Sequence, residues 1–497
     1  MILLKQSNQV WLGFISCLLI IILIFYSQLT GANANTLVIA TEPTFPPFEM
    51  AAKTGGELEG FDIDLMRAIG QESGLKVKFE SLPFDGIIPA LQSGTVDGAI
   101  SGMTITPERA KTIAFSRPYF KAGLAIAVQE NNSNIKSFAD LDNQRIAVQI
   151  STTGANKVKT IPGAKITTFD NAPLALQELV NGNVDAVVND APVTLYAIKT
   201  GNLQGIKVVS ELLTEEYYGI ALPHKSPYIQ IINNSLQTLI DQGKYQVIYQ
   251  KWFAGSPSSL PLIAPSLQEN EESSINFNQL ILNLIKGAII TLELTAFSVF
   301  LGMVGGALLA LARLSNYEVL RWLARFYIDG FRGTPLLVQI FMIYFGLPAL
   351  FQQLGFTFNI ARFPAAVMAL SLNASAYLAE IIRGGIQSVP KGQGEAAKSL
   401  GMTPTQTMRY VIFPQAFRYI LPPLGNEFIT ILKDTSLVAV IGFEELFRQG
   451  QLMVATTYRA FEIYTAVAII YLILTLLSSR LFSWLEWRLN PLQQVKN

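Results

Sequence analysis

Five apolar runs of about 20 residues or more crowd into residues 277–497, near 287–311, 329–351, 363–383, 416–442 and 462–484. A run of that length matches the ~30 Å hydrocarbon thickness of a bilayer at about 1.5 Å per helical residue. Inside lipid an unpaired backbone amide costs several kcal/mol, so such spans are expected to be helical. The run at 416–442 is the weakest, because it carries Pro422, Pro423, Gly425, Lys433 and Asp434. Charge divides the 497-residue chain at the same place. Residues 1–276 hold 19 Lys+Arg against 25 Asp+Glu, whereas residues 277–497 hold 17 against 11. The net charge of zero hides an acidic half rich in turn signals and a basic half built for lipid.

The acidic half begins with another apolar run. Residues 11–26 follow a lone lysine, Lys5, and precede Gly31-Ala32-Asn33-Ala34, an A-x-A type cleavage signal. Residues 1–34 are read as a secretory signal peptide or an N-terminal anchor, and both place the adjoining domain outside the cytoplasm. Residues 35–254 alternate β-branched runs with helical patterns, which predicts βαβ units in two α/β lobes. Segments 123–129 and 217–222 are the expected crossings between the lobes. Residues 255–276, rich in Ser, Pro and acid, are read as a linker that would reach about 70 Å if extended. Residues 277–497 form the membrane domain.

Arginine placement orients the spans. Arg313, Arg321 and Arg325 follow the first span, Arg383, Lys391, Lys398 and Arg409 the third, and Arg480 and Arg488 the fifth. Only Arg362 lies between the second and third. The positive-inside rule then keeps the acidic half outside the cell. The chain has one cysteine, Cys17, and one histidine, His224. That excludes a disulfide and a thiolate metal site, and leaves little room for histidine catalysis. No metal, cofactor or nucleic-acid partner is implied.

Several stretches of the acidic half are distinctive together: TEPTFPPFE at 41–49, GFDIDL at 60–65, FDGIIPALQSGTVDGAI at 84–100, SGMTITPERAKTIAFS at 101–116 and VDAVVNDAP at 184–192. In combination they resemble the polar-amino-acid-binding proteins of bacterial importers, those for glutamine, histidine and lysine/arginine/ornithine. The resemblance implies a bilobed α/β periplasmic-binding-protein fold of type II, with a free L-amino acid between the lobes. A zwitterion's carboxylate needs a bidentate guanidinium with added N–H or O–H donors. Arg109 is the candidate, with Gly102 and Thr104 upstream and Thr153 from the other lobe. Asp190, where the family places its ammonium-binding aspartate, is the candidate acceptor. Phe45 and Phe84 match the aromatic walls. Glu42 stands where the family has an aspartate facing the ligand side chain, and Gln149 where the glutamine binder has a lysine. These two favour basic amino acids or glutamine over acidic ones.

The basic half carries Glu395-Ala396-Ala397-Lys398-Ser399-Leu400-Gly401, with Val411-Ile412-Phe413-Pro414 beyond it. With RGTPLLVQIFMIYFGLP at 332–348 and LNASAYLAEIIRGGI at 372–386, this resembles the permease subunits of ATP-binding-cassette importers for polar amino acids. The implied domain is an all-α transmembrane permease of about five helices, in a bacterial inner membrane. Its loop around Glu395, Ala396, Ala397 and Gly401 would couple to a cytoplasmic ATPase. The chain has no G-x-x-x-x-G-K-[ST] loop, so ATP must be hydrolysed by separate ATPase subunits, two copies being expected. Five spans are too few to enclose a pathway, so pairing with itself or a related permease is expected. The competing readings are a ligand-gated channel, a sensor, and an enzyme on the same bilobed fold. Both lobes precede every span after the N-terminal run, and neither a kinase nor a methyl-accepting segment follows, so the transporter subunit, not an enzyme, is expected.

Overall fold

The computed structural model describes residues 36–52, 57–200, 203–209, 212–268, 277–354 and 360–489. The expected signal or anchor at 1–34, with Cys17, lies outside the described residues, as does the linker end at 269–276.

Alternation of β-branched runs with amphipathic helices folds the acidic half into two five-stranded sheets. The first orders its strands Lys76–Ser81, Thr36–Thr41, Gly98–Ala99, Glu216–Leu222 and Ala114–Ala122. The second orders Lys165–Phe169, Arg145–Gln149, Ala186–Asp190, Leu124–Gln129 and Ile206–Val208. The βαβ strands pair in parallel, as the pattern predicts. The two crossing strands pair antiparallel to their neighbours. The chain passes between lobes at Gly123 and again before Glu216. There Leu124 N–H donates to Thr214 Oγ1 at 3.0 Å and Leu213 N–H to the Leu124 carbonyl at 2.7 Å, so the crossings form one two-stranded hinge.

Each sheet is covered by helices whose apolar stripe faces inward. The helix Phe61–Ser73 buries Phe61, Leu65, Met66 and Ile69 and stops at Gly74, whose φ of 72° suits a glycine C-cap. Burial of each such side chain contributes about 1.5–3 kcal/mol. The expected linker is not free over its whole length. Ala264 is buried with Ile105 and Tyr217 of the first lobe, and Ser266 Oγ donates to the Ile105 carbonyl at 2.8 Å.

Among the described residues of the basic half, three helices are long and apolar enough to cross a membrane: Ile281–Leu314, Arg362–Gln387 and Ala460–Leu489. The expected span at 329–351 lies within a bent pair, Glu318–Gly333 and Leu336–Phe351, which turns by 106°. The span at 416–442 becomes the helix Phe413–Asp434, with both prolines inside it, followed by a tight helical turn Thr435–Ile441. The domain therefore has more than the expected five helices, because prolines and glycines divide apolar runs that hydropathy alone reads as single spans. The first and third of the expected spans pack closely. A side chain at Gly306 would meet Leu378 Cβ at 2.8 Å and one at Gly302 would meet Ala374 Cβ at 2.8 Å. Small residues bring backbones near enough for dispersion to hold helices together without a hydrophobic driving force.

The helix Arg362–Gln387 is about 39 Å long at 1.5 Å per residue. Its first residue reaches the second lobe, where Arg362 Nη2 donates to Thr167 Oγ1. Its last turn leads into the loop at 391–412. The binding lobes and that loop thus lie at opposite ends of one membrane-length helix.

Candidate functional site

The closed cleft between the lobes holds a pocket lined by Glu42, Phe45, Phe84, Ser101, Gly102, Thr104, Arg109, Gln149, Thr152, Thr153 and Asp190. All nine residues singled out in the acidic half line it, Gln149 among them.

Arg109 sits on the short helix Pro107–Ala110, started by Thr106, whose hydroxyl accepts from Arg109 N–H. Its guanidinium is buried and donates to the Thr104 carbonyl of its own lobe and the Ser151 carbonyl of the other, both at 2.7 Å. The Phe84 ring lies 5.4 Å from the guanidinium carbon, close enough for a cation–π contact. Phe45 forms another wall. A side chain at Gly102 would meet Phe45 Cε1 at 2.7 Å, and its φ of 51° is itself left-handed, so only glycine fits there.

Asp190 ends the buried strand Ala186–Asp190, as its sequence context implies. Burial, then the Glu216 carboxylate, push its carboxyl up to about 7, although Tyr218 Oη donates to it. Glu42 is likewise pushed up to about 7 by burial. Its two oxygens accept from Thr44 Oγ1 at 2.8 Å and from Gln149 Nε2 at 2.7 Å, the latter across the cleft. Gln149 Oε1 is buried with no hydrogen-bond partner, as is Ser151 Oγ. An unpaired acceptor in a closed cavity costs about 1–3 kcal/mol, so the Gln149 end of the cavity suits a ligand that donates.

Beneath the cavity, Asp62 and Glu49 are fully buried. Asp62 Oδ2 accepts from Gly102 N–H at 2.9 Å and Tyr119 Oη at 2.7 Å, while Ser101 Oγ donates to Glu49 Oε1 at 2.7 Å. Burial pushes both carboxyls up, Asp62 to about 6. The pair holds the glycine turn and Ser101 in place under the ligand space.

Sequence reasoning missed Glu216. Its carboxylate accepts from Thr104 Oγ1 of the first lobe at 2.6 Å and Thr153 Oγ1 of the second at 2.9 Å, so it bolts the closed cleft. The Thr153 hydroxyl is thereby committed to Glu216. Only the acidic pair Glu215-Glu216 before an apolar strand signals it, and that pattern equally suits a solvated edge.

The other four residues singled out lie on the loop at the far end of the membrane domain. Glu395 and Ala396 are exposed on the helix Lys391–Ser399, while Ala397 is buried. Gly401, at φ 78°, ends that helix by donating its N–H to the Lys398 carbonyl at 2.9 Å. This leaves Leu400 82% exposed at the tip, an apolar knob on an otherwise polar projection.

Comparison with known proteins separates the chain at the same boundary. Residues 37–255 match the bacterial extracellular solute-binding proteins, family 3, and residues 302–491 match the inner membrane component of binding-protein-dependent transport systems. The glutamine transport system permease protein GlnP of Escherichia coli (strain K12) is 45% identical over 209 residues, covering 42% of this chain and 94% of its own length. The probable amino-acid permease protein YxeN of Bacillus subtilis (strain 168) is 43% identical over 196 residues, covering 39% of this chain and 86% of its own. The octopine transport system permease protein OccM of Rhizobium radiobacter is 44% identical over 211 residues, covering 42% and 86%. Among solved structures, an ancestral arginine-binding protein bound to arginine is 46% identical, covering 44% of this chain and 99% of that one, with a TM-score of 0.43.

Proposed function

We propose that this chain, which belongs to the inner membrane components of binding-protein-dependent transport systems and carries its own solute-binding domain, imports polar amino acids, with basic amino acids and glutamine preferred. The observation that carries this is the charge pattern of the cavity. Arg109 from one lobe and Asp190 from the other answer the carboxylate and ammonium of a zwitterion. Glu42 and the unpaired Gln149 Oε1 then face whatever side chain the ligand has. With Arg109 the only cation lining the cavity, Glu42 and Asp190 leave it net negative when ionised. A guanidinium or ammonium side chain offsets that charge, and the raised carboxyl of Glu42 lets a neutral amide bind with Glu42 protonated. An aspartate or glutamate ligand would add like charge in a water-poor space, which is costly.

The ligand carboxylate would accept from Arg109, and its ammonium would donate to Asp190. Phe45 and Phe84 would enclose its aliphatic stem. Release into the membrane domain requires the lobes to part, and the hinge at Gly123 and 212–216 is where that motion would fall. The loop with Glu395, Ala396, Ala397, Leu400 and Gly401 would seat in a cytoplasmic ATPase subunit. Its position, at the opposite end of the helix Arg362–Gln387 from the lobes, supports an extracytoplasmic binding domain in an inner membrane. Two such chains, or one with a related permease, would enclose the pathway, with two ATPase subunits below.

The test is calorimetric titration of the detergent-solubilised full chain with the twenty amino acids, beside the Arg109→Ala variant. Arginine, lysine or glutamine should bind the parent and lose at least 100-fold in the variant. Tighter binding of glutamate than of any of these three, or an unchanged variant, would overturn the reading.

A further inference from the structure

Glu49 and Asp62 are fully buried beneath the cavity without lining it, so capture of a zwitterion leaves both carboxyls unused. Their hydrogen bonds can be counted proton by proton. Glu42 N–H donates to Ser101 Oγ at 3.0 Å, and the Ser101 hydroxyl in turn donates to Glu49 Oε1 at 2.7 Å. Gly102 N–H and Tyr119 Oη both donate to Asp62 Oδ2, at 2.9 Å and 2.7 Å. Oε1 and Oδ2 are therefore acceptors. The remaining oxygens, Glu49 Oε2 and Asp62 Oδ1, are buried and meet no donor from a third group among the described residues. Burial pushes both carboxyls up; a bond between the two adds to the rise in Glu49 and offsets part of it in Asp62. Two carboxyls can bond only through a proton that one of them carries. By elimination that proton lies between Oε2 and Oδ1.

The fold decides which residue owns the proton. Asp62 lies in the first turn of the helix Phe61–Ser73, where unpaired N–H groups favour an anion, and it accepts from two donors. Glu49, on the strand Glu49–Ala51, accepts from one. Burial, then the Asp62 charge, hold the Glu49 carboxyl well above the ordinary carboxylate range, whereas burial holds Asp62 at about 6. The other titratable groups facing the pair are Glu42, Tyr119 on the strand Ala114–Ala122, and Tyr245 on the helix Lys244–Trp252. None is a cation. Two carboxylates in contact without a cation cannot both ionise.

We propose that Glu49 is a positioning residue for ligand binding: it stands as the un-ionised acid, shares its proton with Asp62, and thereby fixes the Ser101–Gly102 turn as a wall of the cavity. Both turn residues line the ligand space. Ser101 Oγ holds the backbone of Glu42, and Gly102 lies so close to the Phe45 ring that a Cβ would meet it at 2.7 Å. Ser101 is bonded to Glu49 and Gly102 to Asp62, so an ionised Glu49, repelled by its neighbour, would pull adjacent residues of the turn apart. The positioning role rests on the cavity being an amino-acid site; the shared proton does not.

Glutamine copies the un-ionised acid: its Oε1 can accept from Ser101 Oγ while its Nε2 donates to Asp62. Leucine removes both bonds. The test uses the detergent-solubilised full chain as the parent, Glu49→Gln and Glu49→Leu. The infrared difference between the parent and Glu49→Gln at pH 8 reads the proton directly, because the other carboxyls cancel. L-arginine affinity at pH 8 is measured by equilibrium binding, and melting temperature is followed between pH 5 and pH 8. A carboxyl that keeps its proton when folded and loses it when unfolded costs stability as pH rises. Glutamine in its place removes that share of the pH dependence.

The expected infrared difference is the carbonyl stretch of a carboxylic acid, present in the parent only. Arginine affinity should fall by about tenfold or more in Glu49→Leu, as for buried partners left unpaired, and return to within about threefold of the parent in Glu49→Gln. The fall in melting temperature from pH 5 to pH 8 should be smaller in Glu49→Gln than in the parent. A carboxylate stretch in place of the acid band, or an equal fall in melting temperature, would mean that Glu49 is ionised, and the proposal would fall. Unchanged arginine affinity in Glu49→Leu, or an equal loss in both variants, would overturn the positioning role. Should Glu49→Leu not fold, the parent and Glu49→Gln still decide the matter by infrared band and melting. Absence of arginine and glutamine binding in the parent would instead sink the amino-acid reading, and the positioning role with it, whatever the infrared band shows.

Discussion

Replacing Asp190 by asparagine removes one charge from the cavity and little else. Asparagine is nearly isosteric, its amide oxygen still accepts from Tyr218 Oη, and the residue remains at the end of a strand that is buried throughout. What changes is the ligand's ammonium, which loses its counter-ion in a space closed to water. Breaking a buried ion pair from one side costs about 3–5 kcal/mol. The remaining neutral hydrogen bond restores about 1 kcal/mol. The net loss is about 2–4 kcal/mol, a 30- to 1000-fold weaker Kd at about 1.4 kcal/mol per tenfold. The pH profile gives a second, independent magnitude. In the empty cleft Asp190 and Glu42 each titrate near 7, above the ordinary carboxyl range because of burial. A cationic ligand requires both ionised, so binding releases protons below that pH. Affinity for arginine should plateau above pH 8 and fall by about tenfold for each group between pH 8 and pH 6, roughly 100-fold in the parent. Asp190→Asn should show only the Glu42 share, about tenfold over the same range. Equilibrium binding of labelled arginine to the solubilised full chain at four pH values between 6 and 8 measures both quantities. A variant within threefold of the parent at pH 8, or a pH profile that the substitution leaves unchanged, refutes the assignment of Asp190 as the ammonium acceptor.

Glu42→Gln should weaken arginine binding by 10-fold or more while leaving glutamine within threefold, read by competition between the two ligands; equal losses for both would place the side-chain end elsewhere. Gly102→Ala forces a Cβ to within 2.7 Å of Phe45 at a left-handed φ, costing about 2–4 kcal/mol. The melting temperature of the binding domain should drop by about 5–15 °C, at 2–4 °C per kcal/mol for a domain of this size, as followed by calorimetry. The unliganded chain should melt at lower temperature at pH 8 than at pH 5. Glu42, Glu49, Asp62 and Asp190 all have raised carboxyls, so the folded form holds protons that the unfolded form has already lost over that window. A midpoint rising with pH between 5 and 8 would contradict the buried state of these groups.

The lobes and the membrane half were legible because each rests on local pattern, and the cavity residues were legible through the resemblance to amino-acid-binding proteins. Leu37 to Ala40 and Ala186 to Val188 are apolar runs too short for helices, and 172–181 has helical spacing. Arg109 and Asp190 were placed by that resemblance, and distant chain completes their environments, Ser151 for Arg109 and Tyr218 for Asp190. Glu216 was not legible, because its role is defined by Thr104 and Thr153, 112 and 63 residues away. The helix Leu446–Thr457 was passed over for a related reason. At 12 residues it is too short to span, and its charged Arg448 is buried only because a lobe from the other half of the chain covers it. Hydropathy also overstated the continuity of the spans. It sums over a window and is blind to the bend between Gly333 and Leu336, which Pro335 imposes by excluding its predecessor from the α region.

Linker residues up to Ser266 are fastened along the first lobe, beside Ile105. The leash between receptor and membrane is therefore only the stretch from there to the first long helix, which begins at Phe277. About ten residues reach no more than roughly 36 Å even when fully extended. A receptor on so short a leash stays at millimolar or higher local concentration whether it is loaded or empty. Soluble receptors can be ranked by how many of them are loaded, since loaded and empty copies compete for the same port. A leashed one cannot be outnumbered, so an empty receptor would occupy the port by default unless shape alone turned it away.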